Sequence, residues 1–154
     1  MIVKFKKLSD TAIKPFKAHK TDAAFDLFAD EDMVIGYGET KLVQTNIAIE
    51  LPYGYVADVR PRSGMTLKTK MRVNYGTIDS GYRGSIGIIC ENSASPRLLN
   101  DFSCKLIAAE ILVERGDKIA QLVIQKLPEI ELLEEELEDS DRGVNGFGST
   151  GSSK

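Results

Sequence analysis

Three short stretches of the chain hold side chains whose types and spacing could do chemistry. In "RPRSGMTLKT" (60–69), Arg62, Ser63 and Gly64 stand just ahead of a segment that reads as a two-turn helix. The first amides of a helix have no partner inside it. A guanidinium, a hydroxyl and a residue small enough for close approach would make a phosphate cradle there. The same residues also suit an N-cap serine beside a surface arginine, and the stretch alone leaves both readings open. In "VNYGTIDSGYRGSIGI" (73–88), two strand-like runs flank the turn "DSGYRG", which would bring Asp79 and Tyr82 to one end of a hairpin. A carboxylate there can act as general base on a water, and a tyrosine ring can pack against a sugar face. The competing reading is a plain turn with an Asx-type cap. In "RGDKIAQLVI" (115–124), a turn enters a strand whose apolar run is interrupted by Gln121. A buried glutamine needs hydrogen-bond partners, so Gln121 either closes a network or faces a ligand.

The chemistry that is missing narrows the field. His19 is the only histidine and lies in a polar loop, which argues against a zinc site or a Ser-His-Asp triad. Two cysteines, Cys90 and Cys104, predict free thiols in a reducing compartment. The start "MIVKFKKLSD" lacks the apolar run of about seven or more residues that a secretory signal needs. No apolar stretch approaches the ~20 residues of a membrane span, so a cytoplasmic protein is expected. The formal net charge of −3 gives no general attraction for nucleic acid or an anionic membrane. That charge is unevenly spread. The run "EIELLEEELEDSD" (129–141) holds eight acids and no Lys or Arg, which leaves the remainder eight charges higher, at +5. A mildly basic body tolerates an anionic small molecule.

These residues need a scaffold, and 154 residues suffice for one domain. "IVKFKKL" suits a half-buried strand. "TKLVQTNIAIEL" (40–51) alternates apolar and polar positions and is followed by the turn "PYG" and the strand-like "YVADVR". "GSIGIICE" (84–91) and "KIAQLVIQKL" (118–127) are β-branched runs bounded by Gly or Pro, and "SCKLIAAEILV" (103–113) leans to strand at its "AEILV" end. Short strands with no long helical period argue for an all-β sandwich or barrel with one short helix. The expected organisation is a body over 1–128 and an arm over 129–154. The arm ends in "RGVNGFGSTG" (142–151), where four glycines in ten positions will not hold a fixed shape alone. Yet this flexible end carries Arg142, Phe147, Ser149 and Thr150.

Taken in order, five stretches resemble the five motifs of the trimeric dUTPase family: "AAFDLFA" (23–29), "PRSG" (61–64), "GTIDSGYRG" (76–84), "RGDKIAQL" (115–122) and "RGVNGFGSTG" (142–151). The resemblance covers nearly the whole chain. It implies a jelly-roll-like β fold, a homotrimer, and cleavage of dUTP to dUMP and pyrophosphate with Mg²⁺. It also implies active sites shared by three subunits, the arm of one closing over a pocket of the other two. By motif, Asp79 resembles the residue that orients the attacking water, with Gln121 and Arg142 completing the catalytic group on the phosphates. Tyr82 resembles the ring that packs under the deoxyribose and excludes a 2′-hydroxyl. The backbone around Asn74, Gly76 and Gly87 would read the uracil edge. Arg62, Ser63 and Gly64 would hold phosphates, and Asp26 resembles the carboxylate that meets Mg²⁺ through water. On the arm, Phe147 would stack on uracil, Gly148 would let the backbone wrap the triphosphate, and Ser149 and Thr150 would bond the γ-phosphate.

The chain departs from the family pattern at Ala24, Thr77, Gly81 and Lys118, and none of these is expected to touch a residue given a role. The stretch "ASPRLLNDFSCKLIA" (94–108) lengthens the span between the third and fourth motifs by roughly a dozen residues, an insertion of the kind loop tips tolerate. Some phage members of the family carry inserts here, and some of those are linked to binding a repressor protein. That implies a phage member acting in its host's cytoplasm, and the alternative function of a regulatory, partner-binding protein on this scaffold. A second alternative is dCTP deaminase, which shares the fold. Those enzymes place a catalytic Glu where this chain has Ile89.

Overall fold

The structure is a computed structural model, and it describes residues 1–94, 110–141 and 143–144. Two antiparallel sheets carry the body. The larger contains β2 (Phe25–Phe28), β6 (Tyr55–Arg60), β8 (Gly76–Ile78) and β11 (Lys118–Lys126), in the order β2-β11-β6-β8. The other contains β4 (Thr40–Gln44), β7 (Met71–Val73) and β9 (Gly87–Asn92), in the order β4-β9-β7. Two ribbons flank them: β1 (Lys4–Lys7) on β5 (Ile47–Glu50), and β3 (Met33–Ile35) on β10 (Ile111–Val113). The one helix among the described residues, α1 (Ser63–Lys68), links β6 to β7. This non-sequential strand order around one core makes a jelly-roll-like all-β fold. Leu27, Val59 and Leu122 from the large sheet share one core cluster with Val43, Met71 and Ile88 from the other.

The turns follow from residue type. Gly54, at φ 77, closes the turn in which the Tyr55 amide bonds to the Pro52 carbonyl. Gly116, at φ 93, does the same between Glu114 and Asp117 and aims the chain into β11. Both sit at the turn position that demands a positive φ.

Three sequence expectations need correction. The run 40–51 is two strands, because Asn46 turns at φ 48, with the Thr45 hydroxyl (2.7 Å) and the Thr45 amide (3.2 Å) both donating to the Ile86 carbonyl. Its strands β4 and β5 thereby enter different sheets. The segment 73–88 is not one hairpin either: β8 pairs with β6, whereas β9 pairs with β4 and β7. Finally, β1 is exposed at all four positions rather than half-buried, since among the described residues its one strand partner is β5. Of 103–113, the residues up to 109 lie outside the described residues, and 111–113 form β10.

Candidate active site

The phosphate-type residues gather at the end of β6 and the start of β11. Cross-strand register places Asp26, Gln121 and Arg60 in one row on the face of the large sheet that points away from the core. Just beyond it, Arg62 occupies the cap position of α1 with no side-chain cap, and Ser63 is the first helical residue, not the capping serine. A cavity of about 510 Å³ is lined by Asp26, Arg62, Ser63, Gly64 and Gln121, together with Met65, Lys68 and Thr69. A Cβ on Gly64 would meet nothing within 4 Å, so protein packing does not require glycine there. Gln121 is half-buried, and its amide donates to the Pro61 carbonyl at 2.8 Å. The side chain borders the cavity.

Asp26 is held between two cations. Its Oδ1 lies 3.0 Å from Arg62 Nε, and its Oδ2 lies 2.9 Å from Lys118 Nζ. Lys118 faces Asp26 because of a β-bulge: register shifts between Lys118 and Ala120, so Ile119 and Ala120 both turn inward. Lys118 then shares a face with Gln121 despite the odd spacing. This corrects the expectation that no departure from the family pattern touches a residue with a role. Lys118 also lies 4.7 Å from the Phe16 ring, which stacks on Phe28.

The nucleoside-type residues gather elsewhere. Asp79, Tyr82 and Gly87 line a second cavity, of about 370 Å³, with Leu42, Gln44, Thr77, Ile78, Ser85 and Ile89. The Tyr82 amide donates to the Asp79 carbonyl at 3.0 Å, which closes the turn, and the Tyr82 hydroxyl donates to the Ser85 carbonyl at 3.0 Å. Asn74 and Gly76 do not line this cavity: the Asn74 amide bonds the Ile89 carbonyl, and Gly76 is laddered opposite Val59. Sequence reasoning gave no role to Leu42 and treated Ile89 only as an absent glutamate. The two are register partners on the outward face of β4 and β9, 50% and 43% exposed, and they form an apolar wall. Their signal was available, since each is a large apolar residue on the solvent phase of an alternating strand.

Charge is organised around Asp58 as well. Its Oδ2 accepts hydrogen bonds from Arg60 Nη2 (2.9 Å), the Tyr75 hydroxyl (3.0 Å) and the Gln125 amide. Burial pushes its carboxyl up, but the donors Arg60, Tyr75 and Gln125 outweigh that and hold it below the ordinary value. Burial pushes the Cys90 thiol up to about 11, which rules it out as a nucleophile at neutral pH. Among the described residues no three His, Cys, Asp or Glu side chains cluster as a metal cage. A lone carboxylate such as Asp26 fits Mg²⁺, which keeps its waters and leans on substrate phosphates. Cys104, Arg142, Phe147, Gly148, Ser149 and Thr150 lie outside the described residues.

The two cavities are far apart within one chain. Ile78 is laddered to Ala57, so Asp79 lies beside the start of β6, while Arg62 lies beyond its end. Four residues of strand already separate Val56 from Arg60, which is ~13 Å. Asp26 is on β2, at the opposite edge of the sheet from β8, another ~14 Å across three strand spacings.

Comparison with known proteins gives these cavities a context. The family model described as dUTPase matches residues 10–151. The chain is 48% identical over 152 residues to the deoxyuridine 5′-triphosphate nucleotidohydrolase of Clostridioides difficile, covering 97% of each chain. Its fold is similar to that of the Staphylococcus bacteriophage 80alpha dUTPase solved with dUPNHPP, with a TM-score of 0.84, 34% identity, and coverage of 98% of this chain and 99% of that one. It is also similar to a mutant dUTPase from phage phi11 of S. aureus, solved with attention to a structural Mg(II) ion, with a TM-score of 0.81, 32% identity, and coverage of 91% and 100%.

Proposed function

The chain belongs to the dUTPase family, and on that premise we propose how its residues hydrolyse dUTP to dUMP and pyrophosphate. The enzyme is a dUTP diphosphatase that works with Mg²⁺. Its active site is assembled between subunits of a homotrimer. One subunit supplies Asp79, Tyr82 and Gly87, a second supplies Asp26, Arg62, Ser63, Gly64 and Gln121, and the arm from 142 onward closes over both. The observation that carries this reading is the separation of the two cavities. A base at Asp79 and a cradle at Arg62 must act on the same phosphate chain, which a single subunit does not allow.

In this reading Asp79 accepts a proton from a water as its oxygen attacks the α-phosphorus in line. The bond from that phosphorus to the bridging oxygen breaks, and pyrophosphate leaves. Arg62, the first amides of α1 and Gln121 hold the leaving phosphates and offset the charge that develops on them. Mg²⁺, when bound, neutralises phosphate charge, and Asp26 would meet it through water. Tyr82 packs under the deoxyribose, while Asn74, Gly76 and Gly87 offer backbone groups to the uracil. On the arm, Arg142 meets phosphate, Phe147 stacks on the base, and Gly148, Ser149 and Thr150 wrap the terminal phosphate. The acidic stretch 129–141 tethers the arm to the body. Deamination is disfavoured because, among the described residues, Asp79 is the only carboxylate lining the nucleoside cavity, and Ile89 is apolar.

Subunit exchange tests the shared site. Asp79→Asn chains and chains ending at 141 should each be nearly inactive alone, and exchanging them should restore a measurable share of pyrophosphate release. No recovery in verified mixed trimers contradicts the reading. A second role, contact with a regulatory protein through 94–108, is favoured by the likeness to phage dUTPases described as controlling transfer of virulence genes. No helix among the described residues is long and apolar enough to cross a membrane.

A further inference from the structure

Arg62 is not free to choose its own orientation. Its Nε is held 3.0 Å from Asp26 Oδ1, and its Nη1 donates to the backbone carbonyl of Lys118 at 2.9 Å. Asp26 is in turn held by Lys118 Nζ at 2.9 Å, and that ammonium sits against the Phe16 and Phe28 rings at 4.7 and 5.9 Å. One residue therefore grips the guanidinium twice, through its own carbonyl and through the carboxylate its side chain anchors. The β-bulge at Ile119 is what allows this, since it brings Lys118 to the face of Asp26 and Gln121. Asp26 and Arg62 line the 510 Å³ cavity, whereas Lys118 does not. Lys118 stands behind the site, not in it.

We propose that Lys118 is a positioning residue that, through the Asp26 carboxylate, fixes Arg62 with its remaining N–H groups presented to the triphosphate. This rests on the reading of Arg62 as a phosphate ligand. A long arginine side chain loses rotamer freedom on binding unless it is already held, so a pre-set guanidinium tightens the phosphate cradle without adding a contact. Two oxygens of one carboxylate accept from two cations and keep lone pairs to spare, so the relay leaves Asp26 able to accept from a hydrated metal ion as well.

A double-mutant cycle tests the relay, using calorimetric titration of the non-hydrolysable α,β-imido analogue of dUTP into the intact trimer at saturating Mg²⁺. Lys118→Met is expected to weaken the analogue about fivefold or more, within the range seen when one member of a charge network is cut. Lys118→Arg should bind within about twofold of the parent, because it keeps the charge facing Asp26. In an Arg62→Met background, Lys118→Met should cost less than about twofold, since the group it positions is gone. Lys118→Gln provides the same charge deletion should the methionine variant fold poorly, and gel filtration confirms the trimer for each. Undiminished affinity in both charge-deleting variants overturns the proposal, as does an undiminished loss in the Arg62→Met background. An Arg62→Met variant that binds like the parent overturns the phosphate assignment of Arg62 first, and the relay with it.

Discussion

At the level of single residues, the turn between β8 and β9 shows how a small residue can set specificity without meeting the substrate. Tyr82 folds its ring back over Gly84, and a Cβ at 84 would lie 2.3 Å from the phenolic oxygen. The three nearest atoms all belong to the Tyr82 ring and its hydroxyl, so Gly84→Ala must push the ring from the position its hydroxyl bond to Ser85 defines. If Tyr82 polices the 2′ position of the sugar, the displaced ring should admit ribonucleotides. The expected outcome is a fall of roughly tenfold in the ratio of kcat/KM for dUTP over UTP, about 1.4 kcal/mol of lost discrimination. Steady-state pyrophosphate release with both nucleotides measures it, and an unchanged ratio with normal melting contradicts it. Asp79 and Tyr82 were legible in the sequence because their spacing in a Gly-containing turn is local. The partners of Asp26 were not, since Arg62 and Lys118 are 36 and 92 residues away in the chain and meet it only through strand register.

At the level of elements, alternation located β4, β6, β9 and β11 but not where the chain changes sheets. Those changes depend on single side chains, such as the Thr45 hydroxyl reaching the Ile86 carbonyl just before Asn46 turns the chain, and Tyr75 reaching across to the large sheet. The second of these has a measurable weight. Asp58 on β6 ties β11 through Gln125 and the approach to β8 through Tyr75, with its side chain about 10% exposed. Its carboxyl is held below its ordinary value, so the folded state favours the ionised form. The stability it contributes is complete above the unfolded value of ~3.9 and is lost as pH falls through the lower folded value. Asp58→Asn should cost about 1–3 kcal/mol in urea unfolding at pH 7, because three donors lose a charged acceptor. The gap to the parent should begin to narrow as pH falls below about 4 and close only below the folded value, where both chains lack that charge. A gap that stays constant across that range would assign the loss to packing instead.

At the level of the whole molecule, the core ends before the chain does. Leu122 is the last buried member of the core cluster, with Ile124 packed against it, and the Leu127 amide donates to the Gly54 carbonyl. From 129 to 141 the chain has neither helix nor strand and every residue is exposed. Composition alone suggested that boundary, because eight acids followed by glycines cannot join an apolar core. What composition could not reveal is that the body by itself leaves its two cavities too far apart to serve one triphosphate. Removing residues 142–154 separates folding from catalysis on that basis. The truncated chain should melt within a few degrees of the parent and elute as the same trimer, since the core cluster of the described residues ends at Leu122 and Ile124. Its kcat/KM for dUTP should fall about 100-fold or more, the scale of losing groups that orient the substrate. A truncated chain that keeps near-normal turnover would show that the body assembles a complete site, and a chain that fails to fold would move the domain boundary past 141.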